Sequence, residues 1–425
     1  MDHSFLRRSS ACVCILLSMG LNGCAGGAPP SGTSPTGVGP SSQPEFLYTR
    51  DEYGDLLVFQ IDLSTGTPTA IQTVNPPSGQ NTVGGGPPVP DPRSRFMYTY
   101  EPHIDGTVTH YSIAAYAIAA DGTLSLINGS PFAIPNPSPV APPDFGPLVI
   151  NPAGTALYAI SADAWGGVAG FHIDPNSGTL TSMASTFSTG AFTGSAAIGP
   201  KGEFLYLAQT LTDTPSNAPG IGEFEIDAST GNLTPLANSP VLLPATALDQ
   251  PGEIIFDPSG HFLYVNLPDA ELPNDIGGFL RDSTSGELTP MPGSPFVSES
   301  ATNPTATSMA MHPSGKFLYV ENYNGGPVSA LAIDPNSGVL SPVAGSPFPP
   351  QVSNRNKTNP PTIVEGNAIA VDPSGKYLYL SGNDAEIVVY SINQTTGALE
   401  AVSGSPFPIS GAPAHLTIVQ SPGTH

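Results

Sequence analysis

The sequence predicts an all-β protein, a seven-bladed β-propeller of four-stranded antiparallel blades. Three observations predict it: a unit that recurs seven times, four short strand patterns in each unit, and chain ends that complement each other. The unit places a tyrosine in a strand every 48 to 60 residues, a period typical of stacked units that cannot bury their apolar faces alone. The tyrosines are Tyr48, Tyr98, Tyr158, Tyr206, Tyr264, Tyr319 and Tyr379.

The sixth unit contains the four strand patterns most clearly. Residues 307–312 (TSMAMH) and 317–320 (FLYV) are apolar runs separated by a Pro-Ser-Gly-Lys turn. Residues 328–334 (VSALAID) alternate, and residues 339–343 (VLSPV) complete the unit before a Gly-Ser-Pro-Phe stop. Short alternating runs between turn residues indicate strands. The chain beyond its N-terminal segment has no long 3.6-residue periodicity, so we expect few helices.

Turn residues recur as regularly as the strands. A proline lies in the turn between the first and second strands, as in Asp257-Pro258. A glycine lies in each turn between the third and fourth strands, where a positive φ costs glycine nothing. These glycines are Gly66, Gly122, Gly178, Gly231, Gly286, Gly338 and Gly397.

The two ends of the array are complementary. Residues 45–48 form a second-type strand with no innermost strand before it, whereas residues 414–420 form an extra innermost strand with no outer strands after it. We therefore expect residues 45–420 to close into a ring in which both termini share one blade, because closure removes exposed sheet edges. An open β-solenoid, the alternative, leaves the mismatched ends unexplained. Residues 421–425 form a tail.

Residues 1–23 are predicted to be an export signal. A charged start precedes an apolar run that is too short to span a membrane, and the Leu-Asn-Gly-Cys ending resembles the bacterial lipobox. We expect lipidation of Cys24, a Pro/Gly/Ser-rich linker over residues 24–44, and an extracytoplasmic protein anchored to a bacterial membrane. In an organism with two membranes, the resemblance implies the outer membrane or the periplasm. Plain secretion and a retained anchor are the alternatives.

Cysteine use and charge exclude several functions. All three cysteines lie in residues 1–24, so we expect no disulfide, thiol nucleophile or thiolate metal site in the propeller. Beyond residue 23, nine basic residues stand against 33 acidic ones. Such a surface repels phosphate backbones and anionic head groups, which excludes nucleic acid and leaves the lipid anchor as the only membrane contact. Solubility alone explains the charge, and we expect a monomer.

The loops after the second strands are predicted to share one rim of the ring with the entries to the innermost strands. These loops vary in length, which favours this rim as the binding face. Trp165 suits stacking on a sugar or aromatic ligand, and equally suits anchoring its loop. The basic residues placed on the rim are Arg50, Arg355 and Lys357. The candidate ligand-binding residues are Asp51, Glu52, Glu101, His103, Trp165, Glu321, Asn322, Asn367 and Asp384.

No established catalytic motif occurs in the sequence. His415 is the best single candidate for catalysis because of its position. It opens the closing innermost strand, so we expect it at the mouth of the central channel. There it could act as general base to a water, with Glu253 or another rim carboxylate as its partner. The alternative is a structural histidine near the ring closure. We predict no cofactor and no metal site; the alternative is a Ca²⁺ ion held by Glu253, Asn367 and Asp384.

Three segments of the sixth unit resemble the lactonase-type seven-bladed propellers. They are residues 317–322 (FLYVEN), 333–338 (IDPNSG) and 345–348 (GSPF). That family includes 6-phosphogluconolactonase and shades into bacterial surface propellers with Tyr-Val-Thr-Asn repeats, and the resemblance covers about residues 45–420. It implies lactone hydrolysis by an Arg-His pair that opens an innermost strand. Here Ala414 precedes His415, so the histidine is kept and the arginine is lost.

Three hypotheses follow from the resemblance and the acidic rim. The first is an exported hydrolase of an unphosphorylated lactone or sugar-derived ester, since a phosphate requires cationic partners that the rim lacks. The second is a non-catalytic surface propeller that binds a protein or a glycan through its rim. The third is a surface structural protein without a discrete ligand. Dependence on His415 distinguishes the first from the second, and a saturable ligand distinguishes the second from the third.

Overall fold

The structure is a computed structural model, and the described residues form strands, turns and loops without a helix. None of them forms a helix with the length and apolar character needed to cross a membrane. The described ranges are 43–51, 53–77, 86–105, 108–135, 145–161, 167–188, 191–211, 219–243, 251–267, 276–298, 306–322, 327–349, 368–382, 385–411 and 413–422.

The strands are numbered in chain order. The first twelve are β1 Glu45–Asp51, β2 Leu56–Ile61, β3 Pro68–Val74, β4 Val89–Pro90, β5 Phe96–Asp105, β6 Val108–Ile118, β7 Leu124–Leu126, β8 Phe132–Ala133, β9 Phe145–Ile150, β10 Ala156–Ser161, β11 Gly167–Ile173 and β12 Leu180–Ser188. The next nine are β13 Ala191–Ile198, β14 Phe204–Leu211, β15 Pro219–Ile226, β16 Leu233–Pro235, β17 Val241–Leu242, β18 Ile254–Phe256, β19 Phe262–Asn266, β20 Ile276–Arg281 and β21 Leu288–Pro290. The last ten are β22 Ala306–Met311, β23 Phe317–Asn322, β24 Val328–Ile333, β25 Leu340–Pro342, β26 Ile369–Val371, β27 Tyr377–Gly382, β28 Glu386–Ile392, β29 Leu399–Ala401, β30 Phe407–Pro408 and β31 Pro413–Gln420.

These strands form seven antiparallel sheets, numbered here as blades 1 to 7. Blade 1 combines β31, β1, β2 and β3 from the inside outward. The following blades take β4–β7, β9–β12, β13–β16, β18–β21, β22–β25 and β26–β29. Innermost strands of neighbouring blades contact each other from β4 round to β31. The prediction of a seven-bladed, all-β propeller is therefore confirmed.

Three blades carry a fifth short strand that the sequence did not predict. β8, β17 and β30 pair with the third strands of blades 2, 4 and 7, and bridges at Phe296 and Phe348 occupy the same place in blades 5 and 6. All five come from the segments that begin with Ser-Pro, which were expected only to end each unit. The serine hydroxyl explains the pairing, because Ser346 accepts the N–H of Ala330 at 3.0 Å and holds the segment against its third strand.

The predicted closure of the ring by both termini is confirmed. β31 pairs antiparallel with β1, and Glu45 lies opposite Gln420. The Thr417 hydroxyl donates to the Pro88 carbonyl of blade 2 at 2.7 Å, which ties the closing strand to the neighbouring blade as well. Blade 1 therefore depends on contacts between residues at opposite ends of the sequence.

The predicted strand tyrosines and turn glycines are hydrogen-bonded to each other between neighbouring blades. Each of the seven tyrosine hydroxyls donates to the glycine carbonyl of the next blade at 2.6 to 3.0 Å. Tyr379 of blade 7 donates to Gly66 of blade 1, so the series continues across the closure. Seven apolar clusters, each joining two adjacent blades, bury the core of the described residues between the blades.

We expect Tyr319→Phe to destabilise the propeller by about 1–3 kcal/mol. The tyrosine is fully buried, and its hydroxyl is a donor to the Gly397 carbonyl at 3.0 Å. Urea unfolding followed by tyrosine fluorescence measures the effect. Tyr53→Phe is the matched control, because Tyr53 is 58% exposed and should change stability by less than about 0.5 kcal/mol. Equal losses in the two variants would contradict a stabilising role for the bonds between blades.

Candidate active site

A belt of buried polar side chains lies where the second strands end, two or three residues after each strand tyrosine. Every blade contributes at least one, and each is at most 3% exposed. The sequence pattern predicted only Glu101 and Glu321 of this belt as ligand-binding residues. The recurring polar position after the tyrosine is the signal that identifies the others. The belt comprises Arg50, Glu101, Ser161, Gln209, Asn266, Glu321 and Ser381.

Arg50 is the cation of this belt, and its side chain crosses from blade 1 to blade 2. Its guanidinium forms an ion pair with Glu101 and donates from Nη1 to the Tyr100 carbonyl at 2.9 Å. The Thr99 hydroxyl donates to Glu101 at 2.8 Å. Arg50 and Glu101 are each 1% exposed. A buried, charge-assisted pair of this kind fixes the orientation of the guanidinium plane.

Two buried polar atoms of the ion pair make no hydrogen bond to the described residues. They are Arg50 Nε, which is a donor, and Glu101 Oε2, which is an acceptor. Most buried polar atoms in folded proteins have a partner. The ion pair therefore retains one donor and one acceptor that the described residues do not use.

His415 lies directly opposite Arg50 in the pairing of β31 with β1. Thr417 and Val419, which alternate with it on the same side of β31, contact blade 2. His415 therefore faces blade 2 beside Arg50, since opposed residues in antiparallel strands have Cβ atoms about 4.5–5.5 Å apart. It is 7% exposed. An arginine therefore adjoins His415 on the paired strand, although position 414 is an alanine.

Glu253 does not lie with His415, so the predicted partnership of these two residues is wrong. The Glu253 carboxylate accepts the Met309 N–H at 2.7 Å and the Ser308 hydroxyl at 3.1 Å, both in blade 6. Blades 6 and 7 separate blade 5 from blade 1 in the ring. Glu253 thus joins blade 5 to blade 6, and its direction depends on a backbone path that the sequence pattern does not reveal.

Two other predicted rim residues have structural hydrogen bonds. Asp51 accepts the N–H groups of Tyr53 and Asp55, each at 2.9 Å, and holds the turn after β1. Asn322 donates to the Pro327 carbonyl at 2.6 Å and accepts the Ser298 hydroxyl of blade 5 at 3.2 Å. Only the backbone of His103 is described, in β5. Glu52, Trp165, Asn367, Asp384 and Cys24 lie outside the described residues.

A metal centre finds no support in the described part of the chain. No group of three or more His, Cys, Asp or Glu side chains there is arranged to hold a metal ion. Two members of the Ca²⁺ hypothesis, Asn367 and Asp384, lie outside these residues. The third, Glu253, already accepts two hydrogen bonds.

Comparison with known proteins gives a family and a relative in sequence. Residues 222–353 and 308–412 match the family model of the lactonase seven-bladed β-propeller. The 6-phosphogluconolactonase of Bacillus subtilis strain 168 is 27% identical over 271 residues, which cover 60% of this chain and 68% of that protein.

Solved structures show the same fold at lower identity. A proposed 6-phosphogluconolactonase from Bacteroides uniformis superimposes with a TM-score of 0.67 at 19% identity, over 89% of this chain and 100% of that chain. The periplasmic gluconolactonase of Pseudomonas aeruginosa gives a TM-score of 0.64 at 17% identity, over 90% of this chain and 100% of that chain. These likenesses support the architecture of the ring.

Proposed function

Because this chain belongs to the lactonase seven-bladed β-propeller family, we propose that it is an exported hydrolase of an unphosphorylated lactone or sugar-derived ester. The observation that carries the proposal is the juxtaposition of His415 and Arg50 on paired strands at the closure of the ring. A histidine beside a fixed guanidinium combines a base for water with a donor for a developing oxyanion.

The two side chains divide the reaction between them. The His415 imidazole takes a proton from water as the water oxygen adds to the carbonyl carbon of the lactone. Arg50 Nε–H donates to the carbonyl oxygen as that oxygen becomes negative. The ring C–O bond then breaks, and the imidazolium returns its proton to the departing ring oxygen. The product is the open hydroxy acid, which ionises in neutral solution.

The charges near the pair favour a substrate without phosphate. The charge of Arg50 is matched by that of Glu101, so the ion pair has no net positive charge for a phosphate. A phosphate dianion requires cationic partners. The small exposed fraction of His415, 7%, also favours a compact ring over a polymer.

We expect His415→Ala to lower turnover of an unphosphorylated lactone by about 10²–10⁴-fold, which is the range for loss of a general base. Proton release from gluconolactone and from its 6-phosphate, recorded in a pH-stat with the full-length protein, measures the rates. His261→Ala is the matched control, because His261 is exposed in a turn before β19. It should retain both activity and stability.

The outcomes separate two functions. Turnover that His415→Ala loses while its melting curve is unchanged supports the hydrolase. No turnover by the unmodified protein on either substrate would overturn it in favour of a non-catalytic propeller that binds a protein or a glycan through its acidic rim. Faster turnover of the phosphorylated lactone would contradict the preference for a substrate without phosphate, but not the hydrolase itself.

A further inference from the structure

Two buried carboxyl groups meet at the seam, which we define as the contact between blade 7 and blade 1. Glu45 begins β1, and Asp372 begins the turn between β26 and β27. Neither residue has any exposed surface, and the two carboxyl groups lie close enough to affect each other's ionisation. Asp372 accepts the Tyr377 N–H at 2.8 Å and the Ser374 hydroxyl. These two bonds fix the position of its carboxyl group.

Two adjoining carboxyl groups without access to water cannot both be ionised, because each charge is poorly solvated and repels the other. A single proton between them removes one charge and supplies the donor for a hydrogen bond. Burial, followed by the charge of Asp372, raises the pKa of Glu45 to about 8. Burial likewise raises the pKa of Asp372. The native pair therefore retains a proton at neutral pH.

The groups around the pair do not replace that proton. Gln420, opposite Glu45, and Lys376, in the same turn as Asp372, both lower the pKa of Glu45, but by less than burial and the charge of Asp372 raise it. Asp62 of blade 1 adds a negative charge, and the hydroxyl of Tyr379 is committed to the Gly66 carbonyl. Tyr377 is close to Asp372 as well, and its pKa is raised mainly by burial.

One further titratable group approaches from blade 6. The His312 ring is bonded to the Gly375 carbonyl at 3.0 Å in the Asp372 turn, and burial lowers its pKa. Protonation of His312 therefore destabilises the folded protein as the pH falls below the ordinary pKa of histidine. The carboxyl pair has the opposite dependence, because it is destabilised as the pH rises. Any measurement of the carboxyl pair has to keep this histidine unchanged.

We propose that a proton shared between Glu45 and Asp372 closes the propeller ring, so that the seam weakens as the surroundings become alkaline. The proposal is independent of lactone hydrolysis. An unfolded chain would release this proton near pH 4.5, whereas the native pair holds it until about pH 8. The shared proton therefore stabilises the folded protein fully below pH 4.5, and this stabilisation is lost as the pH rises through about pH 8.

The test compares Glu45→Gln with the unmodified full-length protein in urea unfolding from pH 5 to pH 9. One proton held only by the native state increases the unfolding constant by about tenfold per pH unit within the window. Glutamine keeps a permanent donor to Asp372 and cannot titrate, so the variant should lack this tenfold dependence. Glu223, whose pKa is raised to about 7 mainly by burial, contributes equally to both proteins and cancels.

Hydrogen exchange locates the effect in the ring. We expect the amides of β1 and β31 in the unmodified protein to lose protection between pH 6 and pH 9, after correction for intrinsic rates. The amides of β10 and β11 in blade 3, which contain no carboxyl group, are the internal control and should keep theirs. Asp372→Asn provides a second variant if Glu45→Gln folds poorly. Equal pH dependence in the variant and unmodified proteins, or equal loss in all blades, would overturn the proposal.

Discussion

Replacing Arg50 by methionine should destabilise the propeller by about 3–5 kcal/mol, the cost of leaving one member of a buried ion pair without its partner. Glu101 is 1% exposed, and its carboxylate lies against the Arg50 guanidinium between blades 1 and 2. Methionine fills much of the arginine volume but offers no charge and no donor. The urea midpoint at pH 7, with an unchanged slope, measures the loss of stability.

A double variant separates the charge from the packing. Arg50→Met together with Glu101→Gln removes both charges, so it should recover most of the stability that the single variant loses. Arg93→Met is the control for the substitution itself, because Arg93 is exposed in the turn before β5. A single variant as stable as that control would show that the Arg50–Glu101 ion pair does not stabilise the folded protein. The proposed oxyanion role of Arg50 would then lose its fixed geometry.

The ring could be predicted from the sequence because its signals are local. A strand tyrosine is recognised from the alternation of its immediate neighbours, and a turn glycine from the positive φ that its turn requires. The hydrogen bond between them could not be predicted, because it joins different blades. The Tyr379–Gly66 bond spans 313 residues. The short fifth strands were also missed, since two-residue pairs are too brief to show alternation.

The site was only half predictable for the same reason. His415 was predicted because it opens the closing strand, and an arginine partner was sought next to it, at Ala414. The proposed guanidinium belongs instead to Arg50, which lies opposite His415 only after the two chain ends have paired. Strand register across the closure is a property of the whole ring. The prediction that Glu253 partners His415 was wrong, because the position of Glu253 in the sequence does not show which blade its side chain contacts.

The Gly338→Ala variant should lose about 2–5 kcal/mol, from two separate costs. Gly338 has a φ of +72°, and the left-handed conformation costs a residue with a Cβ about 1–2 kcal/mol. A Cβ there would also lie 2.6 Å from Met291 Cε and 2.7 Å from Phe262 Cδ1 of blade 5. Overpacking of this kind adds about 1–3 kcal/mol. The melting temperature and the urea midpoint both measure the effect.

Gly345→Ala distinguishes the two costs within the same blade. Gly345 has a φ of +90°, but the nearest atom to a new Cβ is Phe348 Cε1 at 3.6 Å, an ordinary contact. The Gly345→Ala variant should therefore lose only the stability that the left-handed backbone conformation costs. A larger loss for Gly338→Ala assigns the difference to the fit between blades 5 and 6. Equal losses in the two variants would mean that blades 5 and 6 can move apart to accept the new Cβ without a loss of stability. The tyrosine–glycine contacts between blades would then be a consequence of ring closure and would not stabilise the ring.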